Sequence, residues 1–171
     1  MTDVPIFDSD AWRLTNQERQ LTTQARELGE TRFADRASRY DREAKFPIEN
    51  YRDFHDAGLL GICIPSKYGG HGANLRAYAL TAAEVGRYCG STALTWNMHV
   101  CSCLWSGTMA DDLEMDRAVR ERHHETRRVH YRRILDDGAI YSQPFSEGGS
   151  AAAGTVAFST TAVRCDGGWV I

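Results

Sequence analysis

Residues 140–154, IYSQPFSEGGSAAAG, join a short apolar start to a tail of serine and glycine. Glycine lets a backbone come close to a bound molecule, and serine sets a hydroxyl beside exposed N–H groups, so such a loop can cradle a phosphate or the polar edge of a ring. A plain turn has the same composition, and the residues by themselves leave both readings open. His99 and Cys103 stand four apart, with Cys101 between them. On a helix that spacing suits one metal ion, but two ligands need partners from elsewhere, and the competing reading is a packed helix with a hydrogen-bonded imidazole. We expect no metal. The run RERHHETRRVHYRR (120–133) gathers bases that could face a polyanion, yet Glu121 and Glu125 interrupt it, and a solvated helix face is the expectation, without nucleic acid as a partner. YGGHG offers Gly70 and Gly72 without a third glycine at dinucleotide spacing, and it follows a helical pattern, so it reads as a structural turn.

Composition frames these candidates. A chain of 171 residues, 42% apolar and 25% charged, is long enough to bury a substantial core. Its 20 Lys+Arg against 23 Asp+Glu leave a net charge of -3, which argues against nucleic acid or an anionic membrane as a general partner. Five cysteines without a Cys-x-x-Cys pair fit reduced thiols. The opening MTDVPIFDSDAW has neither a basic then apolar leader nor the composition of a transit peptide, and no apolar run approaches membrane-spanning length. The expected location is the cytoplasm.

The elements that must position the candidates are mostly helical. Asn16 to about Tyr40 carries Leu21, Ala25, Leu28, Phe33 and Ala37 near a helical period, predicting one amphipathic helix. Pro47 opens a second, with Ile48, Tyr51, Phe54 and Ala57 on one side and Gly58 as its stop. Asn74 caps a third, running to Cys89, whose small face is Leu75, Tyr78, Ala79, Ala82, Ala83 and Gly86. The fourth, ALTWNMHVCSCLW, is apolar on nearly every side and predicts burial, with Leu94, Val100, Cys101 and Leu104 in the core. A fifth, exposed helix spans the charged stretch 111–137, acids first and bases later, as the helix dipole favours. After Gly138, AIYSQPF, AFSTTAVRC and GWVI are short, β-rich and separated by glycine.

Three of these stretches carry a resemblance. IPSKYGGHGAN resembles the Pro-x-x-Tyr-Gly-Gly-x-Gly turn of the acyl-CoA dehydrogenase family, STALTWNMHV the buried helix after it, and AIYSQPFSEGGSAAAG that family's flavin-binding strand and loop. DGGWVI is similar to a strand that normally runs on into Asn-Gly-x-Lys. The motifs come in the family's order and together cover nearly the whole chain.

The resemblance implies a mainly α fold: an N-terminal helical bundle over 1–137, then the first strands of an incomplete β-barrel over 138–171, with the C-terminal bundle absent. It implies FAD as cofactor and α,β-dehydrogenation of an acyl-CoA thioester, by a carboxylate base that normally lies in the C-terminal bundle. No acid in this chain is therefore assigned to catalysis. An ungapped match places the flavin segment on Tyr141 to Ser150, making Tyr141, Ser142, Gln143, Ser146, Gly149 and Ser150 the cofactor-binding candidates. Pro144 to Glu147 depart from the family's Thr-Glu-Pro, and a shifted match makes Ser146-Glu147 the Thr-Glu pair, so which hydroxyl faces the flavin stays open. Ser150 and His99 are the substrate-binding candidates, His99 on a helix that by resemblance walls the acyl pocket. Electron-transfer flavoprotein or another acceptor, and a homo-oligomer at full length, are the implied partners. A fragment of this kind is expected to be inactive alone. A flavin-dependent monooxygenase of the same fold and a non-catalytic helical binding module are the alternatives.

Overall fold

Thr15 starts the first helix by closing a capping box. Its hydroxyl accepts from the Glu18 N–H at 3.2 Å, while the Glu18 carboxylate accepts from the Thr15 N–H at 2.8 Å. Two amides that no helical turn could pair are thereby satisfied. The computed structural model describes residues 12–143 and 159–171. These carry α1 (Asn16–Leu28), α2 (Ala34–Glu43), α3 (Ile48–Asp56), α4 (Leu75–Gly86), α5 (Gly90–Leu104), α6 (Arg117–Asp137), β1 (Val163–Cys165) and β2 (Gly168–Val170). The chain forms two units, Met1–Tyr141 and Ser142–Ile171.

The expected single helix from Asn16 to Tyr40 is interrupted. A π turn, Gly29–Phe33, separates α1 from α2. At its first residue a Cβ would lie 2.0 Å from the Tyr88 ring, so glycine is what lets that ring pack here. The interruption also divides the helix by partner. On α1, Arg26 reaches Glu84 of α4 at 2.6 Å and Glu18 receives Arg76, whereas on α2, Arg36 reaches Asn50 and Asp53 of α3 and Arg39 pairs with Glu49.

The buried face of α4 is not the one its small residues suggest. Ala77, Tyr78, Leu80, Thr81, Glu84 and Val85 point inward, while Leu75, Ala79, Ala83 and Gly86 are exposed. Glu84 is wholly buried because Arg26 and Arg87 hold it at 2.6 and 3.1 Å, and the Thr81 hydroxyl is spent on the Ala77 carbonyl. Such partners let two polar side chains sit on an inner face that is otherwise apolar. On α3, Tyr51 and Phe54 are buried as expected, but Ile48 in the first turn is exposed.

α5 runs through the core. Trp96 is 0% exposed and stacks on Phe54 at 5.2 Å, and Phe54 meets Phe33 edge-on at 5.0 Å. Leu59, Ile62 and Ile64, from the tight connection after α3, pack against the same cluster. Val100 and Leu104 are in the core as the sequence predicts; Cys101 is half-buried, and Leu94 is 63% exposed, a correction. Leu94 lies on the side of α5 turned away from Trp96, His99, Val100 and Cys103, which face the connection. Leu94→Ala is therefore expected to change stability by no more than about 0.5 kcal/mol in chemical denaturation.

The expectation of a solvated α6 also needs correction at three residues. Arg127, Tyr131 and Ile134 are buried. Arg127 is held by the carbonyl of Ser106 at 2.8 Å, by Asp111, and by its position over the Tyr68 ring, 5.0 Å from the centroid. Burial of the guanidinium is tolerated because both of its terminal nitrogens are paired, though Nε is not. The helix ends at Gly138, whose φ of 66° is the left-handed cap that glycine favours.

In the second unit, β1 and β2 pair antiparallel with Arg164 opposite Trp169 across an Asp166-Gly167 turn. No described residue of 140–143 is in a strand. No helix among the described residues is long and apolar enough to cross a membrane.

Candidate functional site

The end of α5, the π turn that continues it (Trp105–Met109) and α6 enclose a cleft of about 270 Å³. One wall is Ser102, Cys103 and Ser106; the other is His123, Thr126, Arg127, His130, Tyr131 and Ile134, and Tyr141 completes the lining. Residues 123, 127, 130, 131 and 134 follow helical spacing, which is why one face of α6 supplies them all. That stripe was readable as a period. Its histidines and arginine disguised it as a solvated face.

Most of the polar groups around the cleft are spent on the protein. The Ser106 hydroxyl donates to the Ser102 carbonyl at 2.6 Å and lies 3.1 Å from the Tyr131 hydroxyl. His123 Nε2 sits 3.1 Å from the Ser106 carbonyl, which can only accept, so this nitrogen carries the proton. Burial pushes the Cys103 thiol up to about 12, assisted by nearby Cys101, so it stays a neutral thiol near pH 7 rather than a thiolate ligand or nucleophile. What remains is an apolar slot able to take a hydrocarbon tail.

Tyr141 is the cofactor candidate that the structure places best. Its hydroxyl lies 2.7 Å from His130 Nδ1, and its backbone N–H donates to His99 Nδ1 at 3.0 Å. Ser142 is exposed and Gln143 half-buried. Ser146, Gly149 and Ser150 lie outside the described residues. His99, the substrate candidate, does not line the cleft. It is 0% exposed, with Nε2 at 3.1 Å from the Leu60 carbonyl and its ring between Tyr51 and Tyr141. Burial draws its pKa down to about 4, so the imidazole is neutral at pH 7. Both nitrogens are used. Cys103 lines the cleft while His99 turns toward Leu60, and among the described residues no three His, Cys, Asp or Glu side chains gather as a metal set. Sequence reading missed His130, whose exposed place in a charged run gives no sign that it meets Tyr141 eleven residues on.

The acyl-CoA dehydrogenase N-terminal domain matches residues 15–110, more than half of the chain. A probable acyl-CoA dehydrogenase, YngJ, of Bacillus subtilis is 32% identical over 85 residues, 50% of this chain and 22% of that protein. The cyclohex-1-ene-1-carbonyl-CoA dehydrogenase of Syntrophus aciditrophicus is 36% identical over 81 residues, 47% of this chain and 20% of that protein. The mitochondrial isovaleryl-CoA dehydrogenase of Solanum tuberosum aligns over 156 residues, 90% of this chain and 35% of that protein, at 23% identity. The chain spans roughly a fifth to a third of the length of these relatives.

Proposed function

This chain belongs to the acyl-CoA dehydrogenase family, and we propose that it supplies the N-terminal wall of a cytoplasmic, FAD-dependent enzyme that oxidises an acyl-CoA thioester between its α and β carbons. The observation that carries the reading is Tyr141. The first residue of the segment resembling the family's flavin strand is held at an apolar cleft, its amide and hydroxyl both tied to histidines. Tyr141 fits one wall of a flavin site, since it lines the apolar cleft with its amide and hydroxyl already engaged. FAD, when bound, accepts the hydride released from the substrate's β-carbon. In this reading the work of the chain itself is to position and exclude water. The cleft between α5 and α6 would take the hydrocarbon tail of the acyl group, and Tyr141 would mark the boundary between tail and flavin. The base that removes the α-proton is not drawn from the described residues, since a general base has to reach within about 2.6–3.2 Å of its proton and none of those lining the cleft is a carboxylate.

One wall holds a ligand weakly, because affinity comes from enclosure. The test is therefore chemical-shift mapping on the 171-residue chain at millimolar ligand. FAD is expected to shift Tyr141, Ser142 and Gln143, and butyryl-CoA is expected to shift Ser102, Thr126 and Ile134 where free CoA does not. FAD should be lost on gel filtration, and no acyl-CoA should bleach it. Shifts confined to other surfaces, or none, would overturn the site. Stoichiometric flavin bleached by an ester would show that the chain needs nothing further.

A further inference from the structure

We infer that His99 is a positioning residue, whose Nδ1 fixes the Tyr141 amide and with it the point at which the chain leaves the helical unit toward the flavin-facing segment. The inference rests on the flavin reading above for its purpose, but not for its geometry.

The tautomer follows from the partners. A carbonyl only accepts, so the nitrogen 3.1 Å from the Leu60 oxygen, Nε2, bears the hydrogen. A neutral imidazole has one hydrogen, which leaves Nδ1 with a lone pair, and the Tyr141 N–H 3.0 Å away is the donor that uses it. Donor and acceptor are both committed, in a site closed to solvent.

The Tyr141 amide needs this acceptor. Past the Gly138 cap, the Ala139 N–H still returns to the Arg133 carbonyl, but residues 140–143 belong to no helix or strand that would pair Tyr141. An amide left there without a partner would carry the cost of a lost hydrogen bond. His99 is also a firm post. It sits on α5 three residues after Trp96, at the centre of the core, and its far side is fastened to the turn Leu59–Gly61. His130 holds the other end of Tyr141 by its hydroxyl, so backbone and ring are fixed together.

Two isosteres separate this role from general packing. In His99→Asn, Oδ1 stands close to where Nδ1 stood and can accept from Tyr141. In His99→Gln, the amide nitrogen can reach Leu60 while no acceptor remains at the Nδ1 position. The ¹⁵N-labelled 171-residue chain is examined for the tautomer of His99 and for amide exchange at Tyr141. In the wild type, the Nε2–H tautomer and a slowly exchanging Tyr141 amide are expected. His99→Asn should keep that amide slow, and His99→Gln should speed its exchange by about tenfold, the worth of one such hydrogen bond, with the amides of α5 unchanged. An Nδ1–H tautomer in the wild type, or equal exchange in the two variants, overturns the inference. The tautomer stands as a test even where a variant fails to fold. FAD shifts at Tyr141 to Gln143 report separately: their absence with the anchor intact overturns the flavin reading and upholds the anchor.

Discussion

Trp96→Ala is expected to lower folding stability by about 3–5 kcal/mol, the range for removing a large aromatic side chain from a closed core. Several losses coincide at this position. The indole is 0% exposed, stacks on Phe54 at 5.2 Å and lies 6.0 Å from Tyr78. Its Nε1–H donates to the Leu59 carbonyl at 3.3 Å, so truncation also strips a buried acceptor of its partner. The surroundings are poorly placed to collapse into the gap, because Phe54 is held from its other side by Phe33 and Tyr51. Against the usual 5–15 kcal/mol of a folded domain, the loss would take a large share of the total. Trp96→Phe keeps most of the ring contact and should lose much less. A denaturant titration showing less than about 1 kcal/mol for Trp96→Ala would contradict the core assignment.

The second large effect is expected on acidification. His99 is neutral in the fold, with a pKa drawn by burial from 6.5 to about 4. As pH falls below 6.5 the unfolded chain takes up a proton that the folded chain refuses, so stability declines with pH through the window from 6.5 to about 4. Below that window both states are protonated and the loss levels off. The gap corresponds to about 3 kcal/mol at pH 4, at 1.36 kcal/mol per pKa unit. Carboxylates add to any acid loss. Glu18 is held below its ordinary value despite its burial, through hydrogen bonds with Thr15 and the charge of Arg76, so it too loses stabilisation as pH falls through its folded pKa. The contribution of His99 is therefore read as a difference. Between pH 7 and pH 4 the wild type should lose about 3 kcal/mol more than His99→Gln, which has nothing to titrate at that position. Parallel losses in the two proteins would rule out a buried neutral imidazole.

Local rules carried much of the architecture. Pro47 and Gly58 bracket α3 and Asn74 caps α4, because these residues act through their own backbone or an amide three positions on. The same rules failed wherever a partner came from far along the chain. Glu84 is on the buried face of α4 with Arg26 reaching it across 58 residues, and a reading that places small residues inside left it out. Arg127 looked solvated because its acceptors, Ser106 and Asp111, belong to the segment before α6. The candidate site divides in the same way. Tyr141 was singled out through the resemblance of its own segment; the hydrogen bonds that His99 and His130 make to it were not legible, since a lone pair 42 residues away leaves no mark on local pattern.

The π turn at Gly29–Phe33 makes chain length, as well as composition, a constraint. Winding the same residues as regular helix, with none removed, should be harmless by propensity alone. It would also rotate everything beyond it by about 100° relative to α1. Arg36 and Tyr40 would then swing away from Asn50, Asp53 and Glu49, and the helix could satisfy α4 or α3 but not both. A one-residue deletion within this turn should accordingly be milder in chemical denaturation than a one-residue deletion inside α1 or α2, because it removes the extra residue that the wide turn holds and keeps both faces in register.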